Sequence, residues 1–302
     1  MENSKIVYHY CSTDVFMKII SNKTLRLSNI VKSNDSMEIM WITKYVKEVF
    51  DKAFNKESTK YFKNAMSYDE FEKEVNYYSN IFFKEDQKPY EFFVCCFSKY
   101  GDLLSQWRGY ADDATGISIG FDINQLINKK SENKILNYNN LKYDEIIYKE
   151  TNQKSKIKKI AEKLIKDLKK ILKKENVDKA QRTKEAFYNC FQALSNLAVF
   201  MKNPFFNEEK ESRICYRADI DNKSNIFNQN KNVGLMITDI NFASKKNDFV
   251  TFVDLSFKGM EKSIIKEVII GPKCKASESD VINILKLNGI ECEVRKSNGT
   301  YR

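Results

Sequence analysis

Histidine is what this chain has least of: one residue in 302, His9. A two-histidine phosphodiester mechanism or a histidine-rich zinc site cannot be assembled, and a Ser-His-Asp triad would need His9 itself. The chain is therefore an enzyme that hardly needs imidazole, an enzyme that uses His9 alone, or not an enzyme; the second is the reading taken. Proline and glycine are also sparse, three and nine residues. They leave little material for linkers, so residues 1–302 read as a single domain. Seven cysteines are present, but no C-x-x-C spacing occurs, which removes the usual structural-zinc and dithiol signatures. Several lie in apolar runs such as Phe93-Val94-Cys95-Cys96-Phe97 and read as reduced core residues. No apolar run approaches the roughly 18 residues that span a bilayer, and the amino terminus lacks a signal-peptide pattern. The expectation is a cytoplasmic protein with no membrane partner.

The remaining composition is that of a globular chain, 42% hydrophobic and 13% aromatic, which is rich enough to fold. A formal charge of +10 permits a polyanionic partner without demanding one. Lys5 to Tyr10, β-branched and aromatic, reads as a first strand. Ser12 or Thr13 can cap a short helix with Val15, Phe16, Ile19 and Ile20 on one face. Leu25 to Ser28 returns as a strand. Asn34-Asp35-Ser36 offers caps to a helix carrying Met37, Met40, Trp41 and Tyr45, and Ser67 to Glu70 has capping-box spacing. Strands are expected at 92–98, 116–122 and 143–148, with a short helix over 104–111. A lysine-faced helix over 154–174 and a partner over 179–201 form an inserted hairpin at about 152–201. Strands at 213–217, 233–240, 249–257, 264–270 and 290–294, with a helix opening at Ser277, complete an α+β pattern.

Polar groups cluster at strand ends and turns in three places. The first is Tyr8-His9-Tyr10 with Ser28 and Asn34 to Glu38. The second is Phe97-Ser98, Gln106 to Ala111 and Thr115 to Asp122. The third is Phe205 to Ile214, with Glu208, Glu209 and Glu211. Each has a plainer alternative. His9 in a strand can be a satisfied structural histidine, with its flanking tyrosines on the opposite face. Trp107 reads as core. Arg108 can snorkel or hold a pyrophosphate bidentately. Ser28 and Ser98 can line a pocket or satisfy backbone groups. The glutamates can be an exposed turn, and the lysines of 154–174 a solvated face.

Taken together, Tyr8-His9-Tyr10, Asn34-Asp35-x-x-Glu38, Cys96-Phe97-Ser98, Trp107-x-x-Tyr110-Ala111, Gly116 to Phe121, Phe206 to Arg213, Ile270-Gly271-Pro272 and Ser297 to Arg302 resemble the motifs of a large, mostly uncharacterised bacterial family. The resemblance covers both ends of the chain and leaves out 152–201. A second resemblance is to the entrance of ADP-ribosyltransferases of the DarT-like kind. It rests on a first strand ending at His9, the short helix at Asp14 to Ile20 and the strand Leu25-Arg26-Leu27. It implies a split, mixed β-sheet, with NAD as substrate and no metal. It further implies that His9 and Tyr10 hold the nicotinamide nucleoside, that Ser28, Arg108 and Tyr110 belong to the NAD site with Arg108 on the pyrophosphate, and that Glu211 is catalytic. Glu209, the first of the pair, would influence the acceptor, a nucleic acid or a protein. The implied role is an effector of a bacterial toxin or phage-defence system. The chemistry suits these residue types: cleaving the nicotinamide bond builds positive charge on the ribose, which a fixed carboxylate stabilises, and a carboxylate can also accept the acceptor's proton. Two other classes stay open: a non-catalytic nucleic-acid-binding effector, and a metal-dependent nuclease using Asp35, Glu38 and Glu211 as oxygen ligands.

Overall fold

A computed structural model describes residues 5–32, 39–57, 59–84, 89–127, 140–175, 178–219, 236–245 and 248–301. In chain order, β1 (Ile6–Cys11) leads into α1 (Thr13–Asn22), whose cap is Ser12 accepting from the Val15 amide. β2 (Thr24–Asn29) and two 3₁₀ turns (Ile30–Lys32 and Met40–Ile42) precede α2 (Thr43–Glu57), α3 (Lys60–Ala65) and α4 (Tyr68–Phe83). The Ser67–Glu70 capping box is present at the start of α4. Next come β3 (Tyr90–Ser98), α5 (Leu104–Tyr110), β4 (Ile117–Asp122), α6 (Ile123–Leu126) and β5 (Leu141–Glu145). The helices α7 (Glu150–Lys173) and α8 (Lys179–Ala198) are followed by a 3₁₀ turn, Pro204–Glu209. The chain ends with β6 (Glu211–Asp219), β7 (Met236–Ile237), β8 (Asn241–Lys245), β9 (Asp248–Ser256), α9 (Glu261–Ile264), β10 (Ile265–Ile270), α10 (Glu278–Leu287) and β11 (Glu293–Lys296).

Most elements fall where apolar spacing puts them. β8 is one exception, with the short helices α3 and α6, because Asn241-Phe242-Ala243-Ser244-Lys245 carries one large apolar residue and no alternation to read. The strand expected over 290–294 starts later, at Glu293, since Ile290 is spent in the core as the chain leaves α10. Met40 and Trp41 lie in a 3₁₀ turn ahead of α2. The expected caps at Asn34 to Ser36 lie outside the described residues.

Contacts group the chain into two units. One comprises Met1–Lys32, Phe92–Ile146 and Asn207–Arg302; the other comprises Ser33–Glu91 and Ile147–Phe206. The helices of 152–201, read as an isolated insertion, thus share a unit with those of 43–83. That unit has an aromatic core, with Phe54 against Phe71 at 4.7 Å between ring centroids and Phe71 against Phe187 at 5.7 Å. Gln153, fully buried on α7, accepts from Trp41 Nε1 (3.0 Å) and donates to the carbonyls of Ile147 (2.6 Å) and Lys202 (2.9 Å). A buried amide so satisfied stabilises the unit; left unpaired it would cost about 1–3 kcal/mol.

The other unit carries an eleven-stranded sheet, with the order β11-β10-β4-β1-β3-β2-β9-β7, β5 and β6 branching from β3, and β8 from β9. The fold is α+β with a mostly antiparallel, open sheet; β10 and β11 run parallel. Leu25, Leu27, Phe121 and Val253 from the strands bury against Phe16 and Ile20 of α1 and Leu285 of α10. Each such fully buried side chain contributes about 1.5–3 kcal/mol. The pairing of β1 is lopsided. It matches β4 along its whole length, Ile6 opposite Asp122 through Cys11 opposite Ile117, but meets β3 only where Tyr8 faces Ser98. Beyond Tyr8 the two strands part, and the next residue is His9.

Candidate functional site

Where β1 leaves β3, the His9 ring takes over the hydrogen bonding: its Nδ1 lies 3.0 Å from the carbonyl oxygen of Cys96 on β3. A carbonyl only accepts, so Nδ1 carries the proton. Burial lowers the imidazole pKa from its ordinary 6.5, against a smaller opposing effect of the Cys96 bond. His9 is therefore neutral, and Nε2 keeps a lone pair that can accept from a hydroxyl. The ring meets Phe97 edge-on, 5.8 Å between centroids.

A cavity of about 70 Å³, open to solvent, lies here, lined by Tyr8, His9, Tyr10, Cys96, Phe97, Gln106, Tyr110, Glu209 and Glu211. The far wall is the turn into β6. Lys210 has φ 47°, a left-handed conformation that is costly for a residue with a Cβ. Three hydrogen bonds hold that turn: Ser98 Oγ to the Glu209 carbonyl, and the Lys99 and Ile146 amides to the carbonyls of Lys210 and Glu211, each 3.0 Å. Ser98 thus satisfies backbone, the plainer of its two readings.

Glu211 is buried and bound by Arg213, itself 1% exposed, with Nε to Oε1 at 2.5 Å and Nη2 to Oε2 at 3.1 Å. Residues i and i+2 on a strand share a face, so Glu-x-Arg at the head of β6 makes this pair by construction. The fork fixes the carboxylate's orientation. Glu209 accepts from the Tyr110 hydroxyl at 3.0 Å. Burial, and then the Glu209 charge, push the Tyr110 phenol well above its ordinary range, so it stays a donor.

Of the residues singled out in the sequence, His9, Tyr10, Tyr110, Glu209 and Glu211 line this one cavity, and Ser28 and Arg108 do not. Ser28 is on β2, opposite Val94 and Phe252. Arg108 is exposed, its guanidinium 5.9 Å from the Tyr301 ring centroid. The cause is helical: Gln106 and Tyr110 are four residues apart and share a face of α5, while a residue two positions from each points away. Tyr10 contributes its ring only, because its hydroxyl donates to the Tyr100 carbonyl (2.8 Å) and accepts from the Leu103 amide (2.9 Å). Trp107 is core, edge-on to Tyr10 at 4.8 Å, with Nε1 donating to Asp102 at 2.7 Å. Tyr8, Phe97, Gln106 and Arg213 stand in the polar clusters and Cys96 in a motif of the sequence, but none had been given a role at the site. The i, i+4 spacing on α5 and the i, i+2 spacing on β6 are the signals that would have found Gln106 and Arg213.

Asp35 and Glu38, the other ligands of the nuclease alternative, lie outside the described residues. Glu211 would have to exchange Arg213 for a cation. Among the described residues no group of three or more acidic, histidine or cysteine side chains is placed to hold a metal, and no helix is long and apolar enough to cross a membrane.

No curated protein and no solved structure matches the chain. The family match runs through 152–201, which the sequence reading set outside the resemblance, and stops short of the motifs at both ends of the chain. It begins at Gln106 and ends just past Arg213, so it holds one wall of the cavity and not the His9 strand. Over residues 106–214 the chain matches the family described as Protein of unknown function (DUF2971), an uncharacterised domain family of the kind its motifs resemble.

Proposed function

We propose that this cavity binds the nicotinamide-ribose half of NAD and that the protein consumes NAD, as an ADP-ribosyltransferase-like transferase or glycohydrolase. The observation that carries the proposal is the meeting of His9 with Glu209 and Glu211, about 200 positions apart in sequence, around one aromatic-walled cavity. Nicotinamide in NAD is a cation, and an acidic wall favours it.

In this mechanism His9 Nε2 accepts a hydrogen bond from a ribose hydroxyl. Glu211, fixed by Arg213, accepts from the other sugar edge and stabilises the positive charge that builds as the bond from ribose carbon to nicotinamide nitrogen breaks. Nicotinamide leaves with the bonding electron pair. A nucleophile of the acceptor, or water, then forms the new bond to the ribose carbon, and Glu209, oriented by Tyr110, takes its proton. The split sheet of the ADP-ribosyltransferase type belongs to the same proposal, supported by the parting of β1 from β3 at His9. So do a cytoplasmic location and an effector role in bacterial conflict, which rest on resemblance alone.

The test is nicotinamide release from NAD by purified protein, with and without nucleic acid or lysate as acceptor. Wild type should release it and His9→Ala should do so with a raised KM, because a ribose hydrogen bond is made in ground and transition states alike. Absence of release under every condition would overturn the proposal.

A further inference from the structure

The other unit carries a feature that the cavity does not use. On α7, Lys156, Lys159, Lys163, Lys166, Lys170 and Lys173 are all exposed. Their spacing alternates three and four residues, which at about 100° per residue keeps them within an arc of about 100°. At about 1.5 Å rise per residue the stripe is about 25 Å long. Neighbouring lysines are neutralised: Lys154 pairs with Glu48 at 2.9 Å and Lys158 with Glu162 at 3.6 Å. Among the described residues none of the six stripe lysines has an ion pair. A solvated helix face gains from ion pairs at i, i+4; here six like charges stand in a row, with Glu162 and Asp167 flanking it and neither within ion-pair distance of the six. The helix can bear that repulsion because its opposite face, with Ile157, Leu164, Ile165 and Leu168, is buried.

We propose that this stripe binds the phosphate backbone of a nucleic-acid duplex. A regular row of unpaired ammonium groups matches a regular row of phosphates, and lysine as a point charge contacts phosphate without reading bases. No aromatic residue falls among the six, so the stacking platform typical of single-strand binders is missing from the stripe. Insertion into a membrane as an amphipathic helix would use the apolar face as its anchor, and that face is spent in the core. The inference stands independently of NAD chemistry.

The test measures binding of the full-length protein to a fluorescent 20-base-pair DNA duplex and the same RNA duplex by anisotropy, from about 50 to 300 mM salt. Wild type should bind, with a log–log salt slope approaching that of about six phosphate contacts, roughly −5. Lys159→Glu/Lys163→Glu/Lys166→Glu/Lys170→Glu should weaken binding by about 100-fold or more and flatten the slope. The quadruple Lys→Gln variant, which adds no repulsion, should weaken it by a smaller factor in the same direction. Lys18→Glu/Lys262→Glu/Lys286→Glu, three exposed lysines elsewhere, should change affinity less than threefold. Thermal melts establish that each variant is folded. Equal losses in the stripe and control variants, no duplex binding by wild type at 50 mM salt, or stripe-dependent binding only to phosphatidylserine vesicles would each overturn the proposal.

Discussion

His9 is held neutral by desolvation, which outweighs the opposing effect of its bond to the Cys96 carbonyl, and being the only histidine it can be observed without assignment. A single imidazole titration should appear by NMR, with a midpoint below the ordinary 6.5. The sign of its effect on stability follows from that direction. As pH falls through about 6.5 the unfolded chain protonates first, so the unfolded state binds more protons and stability declines, down through the folded value. The Tm of wild type should therefore fall more between about pH 7.5 and 5.5 than that of His9→Gln; an equal fall would contradict the lowered imidazole pKa. At Glu211 the consequence is different. Glu211→Gln removes the carboxylate from a buried pair with Arg213, itself 1% exposed. Removing one member of a buried pair costs about 3–5 kcal/mol, and chemical denaturation should show a loss of that order. Replacing both, Glu211→Gln with Arg213→Met, should recover much of it.

At the scale of elements, the cavity depends on how closely the strands around it approach. A Cβ at Gly116 would sit 2.1 Å from the Cys11 carbonyl oxygen, a backbone atom with nowhere to move. Gly116→Ala should therefore destabilise by about 3 kcal/mol or more, read as a drop in the urea midpoint; a midpoint near wild type would mean that β1 and β4 are not so tightly apposed. Much of this layer was legible beforehand. The Ser12 cap, the Ser67 capping box and the apolar faces of α1, α4, α7 and α10 follow from local spacing. The cavity was legible only in part. His9, Glu209 and Glu211 stand in recognisable motifs, but the parting of β1 from β3 is a matter of non-local pairing that no local pattern encodes. Arg108 shows the converse failure: its chemistry suits phosphate, yet its position between Gln106 and Tyr110 on α5 turns it away from the cavity, as helical periodicity required.

At the scale of the molecule, two units divide the chemistry. The sheet unit holds the cavity, and the helical unit holds the lysine stripe. The sequence reading separated 152–201 from the rest by its lysines, and missed that 43–83 belongs with it, because contacts between segments distant in sequence leave no composition signature. The family match across 106–214 includes both one cavity wall and α7, so neither is marked as an accessory by it. The decisive measurement is nicotinamide release from NAD by wild type, Glu209→Gln, and the Glu211→Gln/Arg213→Met pair, all at a temperature where melts show each folded. NAD consumption at this cavity predicts turnover by wild type, a fall on the order of 10²- to 10³-fold on losing the Glu211 charge, and a smaller fall, with a changed acceptor profile, on losing that of Glu209. Turnover undiminished in the Glu211 pair, or none in wild type with any acceptor, would contradict it.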